Sequence, residues 1–361
     1  MNRISNTMKV LAAILVFIAG SSFLSGGWET MNSGTSNQLN SVYFFNTLTG
    51  IVVGNSGTIL KTTDGGTTWS SKSSGTSYDL ISVYFVNSTT GFAVGAAGIT
   101  LKTDNTGETW TEIDPKITYF QNCIHFNGQN GISVGYNGSV KYTFNGGTGW
   151  YAASSISPTT SAAFNGCSMI TSDIGIAAGS GGVIYRTTNG GINWTNVSIV
   201  TYNTITSVSF WNTNEGIFVG YSGTAFKSTN IGVNWGEITN IGSSAAFYCV
   251  KAIPNTNTAY IAGDNGIIYK TTNKGSTWSS QCSGTNIALR SAFFIDENNG
   301  FVVGTSGKIL KTNNGGDGCI YTGTVSTLLC PGSTLSVPYT ITGTYNQGNI
   351  FTAQLSNTSG N

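Results

Sequence analysis

One phrase sets the terms for this chain. KTTDGGTTW, at 61–69, returns through the sequence in altered form. The copies end at Trp69, Trp110, Trp150, Trp194, Trp235 and Trp278, and a seventh, KTNNGGDGC, carries Cys319 in that place. Successive anchors are 41, 40, 44, 41, 43 and 41 residues apart. Gly stands three before each anchor: Gly66, Gly107, Gly147, Gly191, Gly232, Gly275 and Gly316. Asp or Asn stands five before: Asp64, Asn105, Asn145, Asn189, Asn230, Asn273 and Asn314. Thr or Ser stands seven before, from Thr62 to Thr312. A fixed period of this size marks an architecture in which each unit buries its apolar face only against its neighbours.

Within one period, ISVYFV, GFAVG, ITLKT and TWTEI read as short strands separated by small-residue turns. No helical period is sustained. Seven four-stranded units predict an all-β, seven-bladed propeller. The ends of the chain supply a check. Trp28 lies 41 residues before Trp69, so 27–33 reads as a fourth strand with no third strand before it. The last repeat has a third strand, GKILKT, and no tryptophan strand after it. The N-terminal strand is therefore expected to close the last blade and remove its open edge.

The shared pattern, [ST]-x-[DN]-x-G-x-x-W, resembles the Asp-box, or BNR repeat, of sialidases, sortilin-type propellers and the photosystem II assembly/stability factor family. The resemblance covers 27–319. It implies that the phrase is a turn between the third and fourth strands, and the residues suit that role. An Asx side chain accepts backbone N–H groups and sets a turn, Gly tolerates positive φ, and Trp buries its ring with its N–H near the turn. A structural role is expected, with loss of one such Trp costing roughly 3–5 kcal/mol. Six of the seven copies use Asn, which argues against calcium. The basic residue eight before the anchor (Lys61, Lys102, Arg186, Lys227, Lys270, Lys311; Tyr142 in blade 3) reads as a packed or solvated stem.

Charged residues are 8% of the chain and the net charge is +1. Nucleic acid needs a concentrated basic surface and is excluded as a partner. Arg3 and Lys9 precede VLAAILVFIAG and then SSFLSGG, the pattern of an export leader over 1–26. The mature chain is expected to be secreted, periplasmic or at the cell surface, monomeric and without a membrane span. The segment 320–361, beginning near CPG, looks like the start of a bacterial surface-protein β-sandwich module, too short to bury a core alone.

An active site is not expected. A sialidase needs three arginines around its substrate carboxylate, and the chain has Arg3, Arg186 and Arg290, the first in the leader. Asp79, Asp114 and Asp264 are the acids placed near the face opposite the box turns, and they form no convincing pair. The single histidine, His125, gives no metal constellation, and no cofactor is expected. His125 occupies an inner-strand slot held elsewhere by Tyr43, Tyr84, Met169, Ser209, Lys251 and Phe293. His125 and Lys251 are candidate channel ligands, and Arg290, at the channel rim, is a candidate anchor for an acidic partner.

Cys123, Cys167 and Cys249 read into the slot of Ser41, Ser82, Ser207 and Ser291, where small residues are expected to relieve crowding. Buried free thiols are the expected reading; Cys123 and Cys167 lie on adjacent blades, where a disulfide is geometrically conceivable. Cys319–Cys330 is the favoured pair, and Cys282 has no obvious mate. The resemblance implies an assembly or binding role, with a protein partner held by loops opposite the box turns, the longest at 151–166. The alternative is a glycan, stacked on Tyr136, Tyr221 and Trp211, or a glycoside hydrolase.

Overall fold

The second strand of each repeat reads GIVVG, GFAVG, GIFVG or a near relative, apolar throughout rather than alternating. Such a strand is covered on both faces, and in the structure all five residues of Gly50–Gly54, Gly91–Gly95 and Gly216–Gly220 are buried between neighbouring sheets. The computed structural model describes residues 27–113, 119–198 and 201–317 in full. It adds the backbone of Leu15–Val16, Cys319–Thr322, Tyr339–Thr342 and Gln354–Leu355. The leader, Asp114, the side chains of Cys319 and Cys330, and most of the C-terminal module lie outside the described residues.

Seven antiparallel sheets form the blades of an all-β propeller. The innermost strands of blades 1–7 are Leu39–Phe44, Leu80–Phe85, Gln121–Asn127, Phe164–Met169, Ile205–Phe210, Phe247–Ala252 and Leu289–Phe294. Each blade then runs outward in chain order, except for the outermost strands of blades 4 and 7, which come from earlier in the chain. No helix among the described residues is long and apolar enough to cross a membrane.

Blade 7 is closed by Glu29–Met31, which pairs with the third strand through Glu29–Lys311, Thr30–Leu310 and Met31–Ile309. The closing segment reproduces the box geometry in detail. In blade 1 the Thr68 N–H donates to Asp64 Oδ1 at 2.9 Å. In blade 7 the Gly27 N–H, immediately before Trp28, donates to Asn314 Oδ1 at 3.4 Å. Trp69 meets Phe44 edge-on at 6.0 Å, and Trp28 meets Phe294 in the same way at 6.0 Å.

The box itself is a hydrogen-bonded knot. Thr62 Oγ1 donates to Asp64 Oδ1 at 2.9 Å and accepts the Gly66 N–H at 2.9 Å. Gly66 sits at φ +84°, with the Phe301 ring of the preceding blade 2.9 Å from where a Cβ would stand, so both backbone and space demand glycine. The indole N–H reaches the box carbonyl in blades 1, 2 and 4, from Trp69 to Gly66, Trp110 to Gly107 and Trp194 to Gly191. In blades 3, 5 and 6 it stays buried without a partner, as does that of Trp28. The tryptophan is held chiefly by packing.

Three of the basic residues eight before the anchors are staples between blades, while Lys102 and Lys227 pair with Asp104 and Glu215 of their own blades. The Lys61 ammonium, 6% exposed, donates to the Thr106 carbonyl at 2.8 Å and to Glu108 at 2.6 Å, both in the box turn of the next blade. Arg186 Nε donates to the Ile231 carbonyl at 3.1 Å and Lys270 to Asp317 at 3.1 Å, again one blade on. Tyr142 packs its Cβ against Gly191 of the next box instead.

Two departures from the sequence reading concern blade 4. Its innermost strand pairs Gly166 with Ala178 and Met169 with Gly175, as Ser41 pairs with Val53 and Phe44 with Gly50. Gly166, not Cys167, therefore occupies the small-residue slot, and Ser168, not Met169, stands in the slot of Tyr43. One residue of slip exchanges the faces of a strand, so Cys167 lies in the core. The second departure is the 151–166 stretch. Tyr151–Ala152 completes blade 3, and Ser155–Ser157 adds a parallel fifth strand to blade 4 through Ile156–Trp194. The connection is then pinned by the Tyr185 hydroxyl donating to the Pro158 carbonyl at 2.7 Å. Half of the expected binding loop is sheet.

Trp194 is 1% exposed. Trp194→Ala is expected to cost about 3–5 kcal/mol by transfer and cavity terms together, measured as a shift in the urea midpoint at constant slope. Glu108 is held at about 2, from an ordinary 4.5, by its bonds to Lys61 and then Lys72. A carboxyl lowered in the folded state stabilises above its ordinary value, and that stabilisation is lost as pH falls through 4.5 toward 2. The melting temperature of wild type should exceed that of Glu108→Gln near neutral pH, with the gap closing over that window.

Candidate functional site

The innermost strands meet around the axis, where side chains bond the backbone of the next blade. Ser41 Oγ accepts the Val83 N–H at 3.2 Å, Ser82 the Ile124 N–H at 3.3 Å, and Ser207 the Val250 N–H at 3.1 Å. Cys123 Sγ does the same for Cys167 at 3.2 Å. In these four blades the slot holds a small acceptor, while blade 4 holds Gly166 there, where a Cβ would stand 2.9 Å from the Ser207 Cα, so crowding limits the slot as well. Two residues further on, the Tyr43 hydroxyl donates to the Phe85 carbonyl at 3.3 Å and Tyr84 to the Phe126 carbonyl at 2.9 Å. One residue before the small slot, Asn40, Asn122 and Asn165 donate to Leu80, Phe164 and Ile205 carbonyls at 2.8–3.0 Å. Chemistry is available where these rungs are interrupted.

The first interruption opens the channel mouth on the box-turn face, as a cavity of about 830 Å³. Tyr43, Tyr84, His125, Ser209, Lys251 and Phe293 line it. His125 Nδ1 accepts the Met169 N–H at 3.2 Å, so the neutral ring carries its proton on Nε2. Burial, and then the Lys251 charge, push His125 down to about 3. Burial likewise pushes the Lys251 ammonium down, and its Nζ stands 5.2 Å from the Phe293 ring centre.

The second interruption lies at the opposite mouth. Tyr248 and Arg290 occupy the slot of Asn40. The Arg290 guanidinium carbon lies 3.9 Å from the Tyr248 ring centre. The Tyr248 hydroxyl donates to Asp264 Oδ1 at 2.8 Å, and Tyr221 meets its ring edge-on at 6.1 Å. Arg290 Nε is buried without a hydrogen-bond partner. Farther round the same face, Tyr136 and Phe120 stack at 5.1 Å with both rings exposed.

The residues singled out from the sequence thus fall into groups. His125 and Lys251 share the box-side cavity. Arg290, Tyr221 and Asp264 converge at the other mouth. Tyr136 stands apart from both. Trp211 is not a surface platform: it is 1% exposed, its N–H donating to the Thr258 carbonyl at 2.8 Å. Asp79 accepts the Ser56 N–H at 2.8 Å and has a structural task. Tyr248 was missed; its signal is that it stands, one residue before the small slot, where four blades carry Asn40, Asn122, Asn165 and Thr206. Cys282, without an obvious mate in sequence, is disulfide-bonded, while Cys123, Cys167 and Cys249 are free. The Cys123 and Cys167 sulfurs approach to 2.7 Å as thiols.

A ring of Asp-box blades with a polar-aromatic cluster at each mouth defines a β-propeller binding scaffold. The sequence matches the family of photosynthesis system II assembly factor YCF48 over 21–119 and 192–290, and the chain belongs to that family. A solved structure of YCF48 bound to a D1 peptide superposes with a TM-score of 0.67 at 21% identity, over 79% of this chain and 94% of that one. YCF48 from Cyanidioschyzon merolae gives 0.65 at 20% identity, over 80% and 98%. An ancestral GH74 enzyme gives 0.62 at 15% identity, over 78% of this chain and 45% of that one, a likeness of fold. No curated protein matches the sequence significantly.

His125 is the chain's only histidine, so its ring signal in a proton NMR spectrum is unambiguous. Its chemical shift is expected to stay flat between about pH 5 and 8, where an exposed imidazole would titrate.

Proposed function

We propose that the chain is a non-catalytic, exported binding scaffold that holds a segment of a partner protein at the mouth carrying Arg290. The observation that carries this reading is the Arg290–Tyr248–Asp264 cluster. A guanidinium stacked on an aromatic ring, itself held by a carboxylate, is preorganised to take a partner's carboxylate in a two-pronged bond. Arg and Tyr are the residue types that dominate the energetics of such contacts. The exposed Tyr221 and, farther round, Tyr136 and Phe120 add apolar surface on the same face. Family membership and the relative solved with a D1 peptide support a peptide segment as the ligand. The leader pattern at 1–26 and the bonded Cys282 support an oxidising compartment outside the cytoplasm.

The test immobilises the chain from residue 27 onward and exposes it to envelope extract of the source organism. One stoichiometric protein is expected, and Arg290→Ala should weaken its capture at least tenfold, about 1.4 kcal/mol. Capture of polysaccharide alone, or of the same protein unchanged by Arg290→Ala, would overturn the reading.

A further inference from the structure

The box-side cavity is a second site, with a different chemistry. Its volume, about 830 Å³, falls in the range of pockets that enclose small molecules. The walls are largely aromatic, from Tyr43, Tyr84 and Phe293. The two tyrosine hydroxyls are already committed to backbone carbonyls, so they present ring faces and edges rather than free polar groups. The lining also includes the neutral polar side chains of Asn127, Ser168, Ser209, Asn212, Thr213 and Asn255, and two nitrogen donors stand among the aromatic rings. One is the Lys251 ammonium, which faces Phe293 and, among the described residues, has no carboxylate partner. The other is His125 Nε2–H, its tautomer set by the Met169 N–H at Nδ1. No acidic side chain lines the cavity.

Lys251 is half-buried; an ammonium partly withdrawn from water without a counter-ion bears a cost, and burial acts against its charged form. An anion would repay that cost. One cation and one neutral donor suit the two oxygens of a single carboxylate. A phosphate would call for more positive charge, from arginines or a nest of backbone N–H groups, and the described lining holds one lysine and no arginine. The aromatic remainder suits an apolar body. We infer that this cavity binds a small apolar monocarboxylate, its head group held between Lys251 and His125 and its aryl or acyl body lying against Tyr43, Tyr84 and Phe293. The inference goes beyond the peptide reading and does not rest on it, because the two sites lie at opposite mouths of the channel.

The test is calorimetric titration of the chain with 4-phenylbutyrate and with decanoate, each beside its uncharged amide. At least one acid is expected to bind, at least tenfold more tightly than its amide, and Lys251→Met should abolish that preference. Should Lys251→Met fail to fold, as judged by its melting curve, lysine acetylation of the wild type decides. Saturating acid should slow labelling of Lys251 several-fold, while the amide should not. Equal binding of acid and amide, no binding of either acid, an unchanged preference in Lys251→Met, or labelling of Lys251 indifferent to the acid would each overturn the proposal.

Discussion

Everything in this molecule depends on how one sheet holds the next. The blades are separate hydrogen-bonded units, and their innermost strands meet the neighbours chiefly through side chains. Ser41, Ser82, Cys123 and Ser207 accept a backbone N–H from the following blade, while Asn40, Asn122 and Asn165 donate to a carbonyl there. A buried backbone group left unpaired costs more than a bond gains, so these short polar residues fix the angle at which blades can pack. Farther out, Lys61, Arg186 and Lys270 repeat the arrangement by reaching the next box turn. Apolar packing, such as Phe44 stacked on Phe301 at 3.8 Å, fills the space between.

That arrangement also explains where binding chemistry arises. A slot that serves as a rung in most blades becomes free to face outward when its residue changes. Tyr248 and Arg290 stand where four blades place Asn or Thr and blade 2 places Ile81, and the result is a stacked cation at one mouth. His125 and Lys251 stand where Tyr43 and Tyr84 form rungs, and the result is a polar pair in an aromatic cavity at the other. Function lies in breaks of the repeat, while the Asp-boxes, despite their prominence in the sequence, hold turns together.

Much of this was legible in the residues because the repeat is rigidly phased. The box, the seven blades and the closure by Trp28 follow from spacing alone, since a turn with fixed Gly and Asx positions leaves little freedom. The register of blade 4 was not legible. Asn165, Gly166, Cys167 and Ser168 are all small or polar, and without alternation nothing marks which face a side chain takes. The added strand Ser155–Ser157 was hidden for a related reason: a three-residue polar segment pairing parallel to an edge carries no period of its own. The Tyr248–Arg290 contact joins two blades, and only superposing the repeats shows both residues as exceptions at one position.

The closed seventh blade has a temporal side. Gly27 and Asn314, joined by a hydrogen bond, are 287 residues apart in the chain. At ordinary rates of synthesis a ribosome needs about 15–60 seconds to span that interval. Throughout it, six blades can stack as an open arc while the segment beginning at Gly27 waits without a partner. The ring therefore cannot be assembled from one end; its last act joins an early-made strand to the third strand of blade 7, made far later. Until that moment the third strand of blade 7 offers a slot that the same segment of another copy would fit equally well. A ring closed within one chain is therefore favoured over one closed between copies by dilution rather than by added stability.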